Sequence, residues 1–338
     1  MAKDTKPGII LKHVLCAIDL SACSVPALAR AIELAEAYGA RLDVLHVLEA
    51  TATAKALLSP RRDDLLVHLR QMVEALIDRR LPVNISVEHG EPSREILLYS
   101  RAHSSDLIVI GSCLTTRPRS LALVGHTTSI LIAGAVCPVL VVPEPKVTAR
   151  GNAPTPLRHI VCAISSPAAR RTLKNAVSLA LKFDARLTIL HVLLRSNEAR
   201  NKADSAVREL RRTLPEANDE SCRIDELVVY GAVPQTVAGE IVDITRQLST
   251  DLLVLGFRRD FLAEETRDAI VSSVVRDTAC DVLVVPAGGT AERLKSIAGS
   301  DDAASRGQVR VRDVVDQASY ESFPASDPPP WTFGIHSD

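Results

Sequence analysis

The residues best suited to chemistry lie between Asp106 and Thr128, in the stretch D-L-I-V-I-G-S-C-L-T-T-R-P-R-S-L-A-L-V-G-H-T-T. The β-branched run Leu107 to Ile110 stops at Gly111 and Ser112. A polar segment with Arg117 and Arg119 follows. A second glycine, Gly125, then precedes His126, Thr127 and Thr128, and a helical apolar pattern begins at Ile130. This reads as strand, loop and helix N-terminus. Such a junction offers unpaired backbone N–H groups and the positive end of a helix dipole, which suit a phosphate. Asp19 closes an earlier strand, H-V-L-C-A-I-D, and is followed by Ser21 and Ser24. A carboxylate there can accept hydrogen bonds from ribose hydroxyls.

No serine sits in a nucleophile elbow, and no P-loop lysine follows either glycine loop. No catalytic residue is therefore assigned. Asp19, His46 and His126 lack the spacing of metal ligands, so no metal site is assigned. His46 and His191 fill the same slot before Val in a repeated strand and read as packed, hydrogen-bonded residues. Cys113, beside the loop, is a thiol whose reactivity would need exposure and a lowered pKa.

The elements that must position these residues occur twice. His13 to Ile18 matches His159 to Ile164, and A-R-L-D-V-L-H-V-L matches A-R-L-T-I-L-H-V-L. D-L-I-V-I-G matches D-L-L-V-L-G, and C-P-V-L-V-V-P matches C-D-V-L-V-V-P. The offset is 146 at His13 and His159, 145 at Gly111 and Gly256, and 143 at Pro143 and Pro286. A near-constant offset means duplication. Residues 1–145 form the first unit, 146–157 a linker rich in Pro, Gly and Thr, and 158–286 the second unit. Residues 287–338 do not repeat and read as a disordered Pro-rich tail.

Within the first unit the pattern predicts a helix from Pro26 to Tyr38 closed by Gly39. A strand follows from Arg41 to Leu48, then a charged helix from about Arg62 to Arg80 and a strand after Pro82. A helix from Ser93 to His103 has Ser93 as its cap. A helix from about Thr127 to Ala135 precedes a last strand, Val139 to Pro143. Strands alternating with helices build a parallel sheet covered on both faces. The last strand of each unit, Val139 to Val142 and Val282 to Val285, should lie at a sheet edge, where the two could pair.

The 338 residues carry a formal net charge of −1, which gives no electrostatic case for nucleic acid or an anionic membrane as partner. No run reaches the ~20 apolar residues of a membrane span, and no signal peptide is read. Seven cysteines without a C-x-x-C pair point to reduced, mostly buried thiols and a cytoplasmic setting.

These motifs together resemble the universal stress protein family, over about Lys12 to Pro143 and Arg158 to Pro286. The resemblance implies two tandem, doubly wound, five-stranded parallel α/β domains of the adenine nucleotide alpha hydrolase-like fold, in the order 3-2-1-4-5. It implies a stress-response sensor or binding module rather than an enzyme. Self-association or other proteins are its implied partners, and ATP with Mg²⁺ is the ligand implied for the first unit. The adenine nucleotide would meet Asp19, Ser21, Val47, Gly111, Ser112, Gly125, His126, Thr127 and Thr128. ATP-binding members resemble one another in G-x-x-G, nine residues, then G-[S/T]; here Leu114 takes the second glycine's place, Gly125 comes one residue late, and His126 replaces Ser/Thr. The second unit departs further, with Ser165 for Asp19, Arg259 for the second glycine, and no glycine in E-T-R-D-A-I-V-S-S. Two further readings stay open: a ligand-free structural or interaction module, and an adenine-nucleotide-using enzyme, which would lack a separate substrate domain.

Overall fold

A computed structural model describes residues 10–49, 58–77, 81–112, 125–144, 154–164, 170–194, 224–232, 237–257 and 264–286. The first repeat contains β1 (His13–Ala17), α1 (Ser24–Tyr38), β2 (Arg41–Leu48), α2 (Leu58–Glu74), β3 (Val83–His89), α3 (Pro92–Ala102), β4 (Leu107–Ser112), α4 (His126–Gly134) and β5 (Val139–Pro143). The second contains β6 (His159–Ile164), α5 (Arg170–Phe183), β7 (Arg186–Leu194), β8 (Ile224–Ala232), α6 (Val237–Gln247), β9 (Leu252–Phe257), α7 (Glu264–Asp277) and β10 (Asp281–Pro286).

All ten strands belong to one sheet, ordered β3-β2-β1-β4-β5-β10-β9-β6-β7-β8. Each repeat therefore has the 3-2-1-4-5 order, and its internal pairings are all parallel. The repeats join where β5 and β10 pair antiparallel, with Val282 opposite Val141, Leu283 opposite Leu140 and Val284 opposite Val139. An edge rich in aliphatic side chains is thus removed from each half.

Period-two alternation along the strands divides the core into two layers. Val14, Cys16, Leu42, Val44, Leu107 and Val109 face one side, where α1, α2 and α5 pack. Leu15, Ala17, Leu45, Ile108 and Ile110 face the other, beneath α3, α4, α6 and α7.

The duplication extends to single backbone angles. Gly39 ends α1 in the left-handed region (φ 63°), and Asp184 takes the same region (φ 50°) after α5. The next amides return to the helix identically, Ala40 N–H to Ala35 O and Ala185 N–H to Ala180 O, at 2.8 and 2.9 Å. Ser104 and Ser249, before β4 and β9, form a second left-handed pair. Asp106 accepts from the amides of Lys12 and His13, and Asp251 from those of Arg158 and His159. These carboxylates tie the start of the fourth strand of each repeat to the start of the first.

Three sequence expectations shift. The helix expected from Arg62 to Arg80 runs from Leu58 to Glu74. The helix after β3 starts at Pro92, so its N-cap is Glu91 and not Ser93: the Glu91 carboxylate accepts from the amides of Ser93 and Arg94. Pro92 fixes φ at the first helical position, which puts the cap at Glu91, two residues upstream of Ser93. Helix α1 begins at Ser24, two residues ahead of Pro26. The tail and most of the linker fall outside the described residues. Among the described residues, no helix is long and apolar enough to cross a membrane.

Candidate functional site

In a doubly wound sheet, ligands gather at the carboxyl ends of the strands where the winding reverses. In the first repeat this point lies between β1 and β4, because the chain builds β2 and β3 on one side and β5 on the other. Val14 to Ala17 pair with Leu107 to Ile110. Continuing that register carries Ile18 and Asp19 past Gly111 and Ser112.

Asp19 faces solvent just beyond β1. Its Oδ1 accepts from the Ser21 amide and from Ser24 Oγ, both at 2.9 Å. Ser24 Oγ in turn accepts from the Asp19 amide at 3.2 Å. Partial burial acts to raise the Asp19 pKa, but the hydrogen bonds from Ser21, Ser24 and its own backbone outweigh it and hold the pKa below the ordinary Asp value. The group is therefore an ionised acceptor at neutral pH. Leu20, next to it, has φ 63°, a left-handed conformation costly for a residue with a branched side chain. Nothing in the sequence reading anticipated this strained turn.

Val47 is half-buried on β2. Leu45 O accepts from the Ile18 amide, after which β1 turns away. Alternation along the strand turns the Val47 amide and carbonyl the same way, into the crevice that β1 has left. His46 is buried, and its Nδ1 donates to Ile18 O at 2.8 Å. The carbonyl can only accept, so the proton sits on Nδ1, and the ring locks β2 to the end of β1.

Gly111 has a packing reason to be glycine. A Cβ there would lie 2.6 Å from the Cys23 carbonyl oxygen and 2.9 Å from its carbonyl carbon. The glycine lets the β1–α1 turn rest on β4. In the second repeat Gly256 lies against the first turn of α5 instead, where a Cβ would meet Thr172 Oγ1 at 2.7 Å. Ser112 is buried, and its carbonyl accepts from Glu144 N–H.

Helix α4 starts at the same edge of the sheet. Gly125 is its N-cap and provides no side-chain cap. Among the described residues, a Cβ on Gly125 would meet Thr128 Oγ1 at 3.8 Å, an ordinary contact. His126 is exposed, Thr127 half-buried and Thr128 buried. The amides of this uncapped turn and the Thr127 hydroxyl are the donors available to an anion. Hydrogen-bond donors at the start of α4 and the acceptor carboxylate of Asp19 thus lie at the carboxyl ends of the same set of strands.

Glu91, overlooked in the sequence as part of a turn, caps α3 close to His126. Burial acts to raise its pKa, but hydrogen bonds from Ser93 and Arg94 and the nearby His126 hold it below the ordinary Glu value. A depressed carboxyl contributes stability above its unfolded pKa and loses it as pH falls through the folded value. Glu91→Ala is expected to cost about 1 kcal/mol at pH 7. That cost should fade in urea melts as pH falls below the ordinary Glu range and through the lower folded value, where the wild-type carboxylate itself takes up a proton.

Cys113, Leu114, Arg117, Arg119, Ser165, Arg258 and Arg259 lie outside the described residues. Cys16, Cys137, Cys162 and Cys280 are free thiols, and burial pushes all four up, Cys162 to about 12. Cys23 is buried and disulfide-bonded, against the expectation of reduced thiols throughout.

The chain belongs to the universal stress protein family, whose sequence model matches residues 11–143 and again 156–286. It is thus a tandem member with two repeats. A universal stress protein structure from Archaeoglobus fulgidus DSM 4304 is similar over 82% of this chain and 96% of its own, at 18% identity and TM-score 0.60. A putative universal stress protein from Pseudomonas aeruginosa UCBPP-PA14 is similar over 85% and 98%, at 20% identity and TM-score 0.56. A universal stress protein from Archaeoglobus fulgidus, described in complex with dAMP, matches 39% of this chain and 98% of its own, at 19% identity and TM-score 0.31. The first two likenesses agree with the doubly wound fold.

Proposed function

We propose that this tandem universal stress protein is a cytoplasmic sensor or binding module, not an enzyme, and that its first repeat holds an adenine nucleotide. The observation that carries the reading is the start of α4, whose N-cap Gly125 has no side chain to cap it, at the same end of the strands as an ionised Asp19. Phosphates would sit on the amides of Gly125 to Thr127 and the Thr127 hydroxyl, with Ser112 beside them. The ribose would meet Asp19 beside Ser21, and adenine the Val47 edge. ATP with Mg²⁺ is the form to test first. The second repeat lacks the acid, having Ser165 in its place, and its α7 opens with Glu264, Glu265 and Asp268, whose charges oppose a phosphate.

A ligand-free interaction module is the second reading. It is favoured by Gly111, whose packing against Cys23 explains the glycine without a phosphate. Calorimetry with ATP and Mg²⁺ separates the two. The expected result is one site per chain, weakened by Asp19→Ala and Gly125→Val and untouched by Ser165→Ala. Two equivalent sites, or equal loss from the Ser165 change, would overturn the asymmetry. No heat of binding would leave the interaction module.

A further inference from the structure

The junction between the repeats is almost wholly aliphatic. Leu11, Leu34, Leu107, Leu140, Leu157, Leu179, Leu252 and Leu283 surround a cavity with room for about one water, and Arg30 and Asp281 complete its wall. Arg30, on α1 of the first repeat, is only 3% exposed. Its Nε donates to Asp281 Oδ2 of β10 at 2.6 Å, and its Nη2 donates to Thr155 O, ahead of β6, at 2.7 Å. Its Nη1 pairs with Glu33 on its own helix.

The strands alone cannot choose this partner. Residues 139–143 and 282–286 have the same sequence, V-L-V-V-P. A first repeat pairing with another first repeat would bury the same aliphatic ladder. The polar residues do differ. Aligning Ala40-Arg41-Leu42 with Ala185-Arg186-Leu187 places Arg30 opposite Asn175 in α5, and C-P-V-L-V-V-P against C-D-V-L-V-V-P places Asp281 opposite Pro138. The ion pair therefore occurs once, not twice, across the pseudo-symmetric junction. A pair of first repeats would bury two Arg30 guanidiniums against Pro138, with no acid from across the junction. A pair of second repeats would set Asp281 against Asn175. Each removes the cross-junction partner of a buried charge, Arg30 keeping only Glu33 of its own helix, and breaking a buried pair in this way is penalised.

We infer that Arg30 and Asp281 form the partner-selection device of the repeat junction: the β5 edge of the first repeat accepts an edge with an acid at the Asp281 position and rejects a second copy of itself. Buried ion pairs are weak as stabilisers but are best attested in setting register and partner. Here the polar difference falls on the only part of the junction where the two strands' sequences do not already agree.

The test uses the whole chain refolded from urea, with thermal unfolding, light scattering and hydrogen exchange at Val139–Val141 and Val282–Val284. Arg30→Asp alone and Asp281→Arg alone should each lower Tm by roughly 10 °C and loosen those amides. The two single variants refolded together should form a two-chain species with wild-type Tm, because exchange of repeats gives two matched pairs. Arg30→Met/Asp281→Leu should keep Tm but refold into a concentration-dependent mixture of single and associated chains. If the mixed single variants stay separate and destabilised, selection in trans is absent and the inference falls. It falls equally if Arg30→Met/Asp281→Leu is as unstable as either charge-reversal variant, since the pair would then be a plain stabiliser. Unchanged Tm in both single variants would also overturn it.

Discussion

Gly111→Val is expected to destabilise the first repeat by about 1–3 kcal/mol, the range for overpacking a filled site. The clash is with backbone: a Cβ would stand 2.6 Å from Cys23 O, where no rotamer change relieves it. Two other glycine substitutions serve as controls. Gly256→Val meets the Oγ1 of Thr172, a side-chain atom, and should cost less. Gly125→Val makes an ordinary contact with Thr128 among the described residues and should cost about 1 kcal/mol at most, through a weaker N-cap. Urea unfolding of the three variants checks the order. If Gly125→Val were the most destabilising, the close approach of the β1–α1 turn to β4 would not be what Gly111 provides. The same series separates structure from ligand. Gly125→Val should lose nucleotide affinity with little loss of stability, and Gly111→Val should lose both.

The fold was legible because its signals are local and repeated. Aliphatic runs bounded by Asp and Gly, recurring at a near-constant offset, are enough to give two copies of a parallel α/β unit, and the order 3-2-1-4-5 is what the family resemblance implies. The pairing of β5 with β10 could also be anticipated, since two last strands of identical aliphatic sequence each need a partner, whereas its antiparallel sense was not read from the sequence. What escaped the sequence depends on a residue's surroundings rather than its type. Gly111 looked like a ligand glycine because it ends a strand before a polar loop, and the backbone that crowds it comes from Cys23. Leu20 carries no mark of its left-handed conformation. Glu91 sat in a turn until Pro92 proved to be the first helical residue. Arg30, in an Ala- and Leu-rich helix, reads as a surface charge, yet its partner Asp281 lies 251 residues away. Of the site itself, Asp19, Val47, Ser112 and Gly125 to Thr128 fall along one sheet edge, as their places at element ends imply.

Leu283→Ala is expected to cost about 2–5 kcal/mol and to loosen both repeats together. Leu283 is 2% exposed and lies opposite Leu140, itself 3% exposed, at the centre of the β5–β10 ladder. Truncation removes most of a buried side chain and enlarges a cavity already present between Leu140, Leu157 and Leu252. The surrounding leucines belong to strands of both halves and to the segment between them, so collapse onto the void would strain two repeats at once. The sheet is also continuous: β5 protects β10, and β10 protects β5. Hydrogen exchange should therefore quicken at Val139 to Val141 as much as at Val282 to Val284, although the substitution lies in the second repeat. Thermal unfolding should remain a single transition at a lower midpoint. Faster exchange confined to β9 and β10, or a thermal curve split into two steps, would mean that each half keeps its own stability and that the junction is a loose contact. One transition with matched loss on both sides would instead make the aliphatic ladder the element that binds two copies into one cooperative sheet, leaving Arg30 and Asp281 to decide which copies meet.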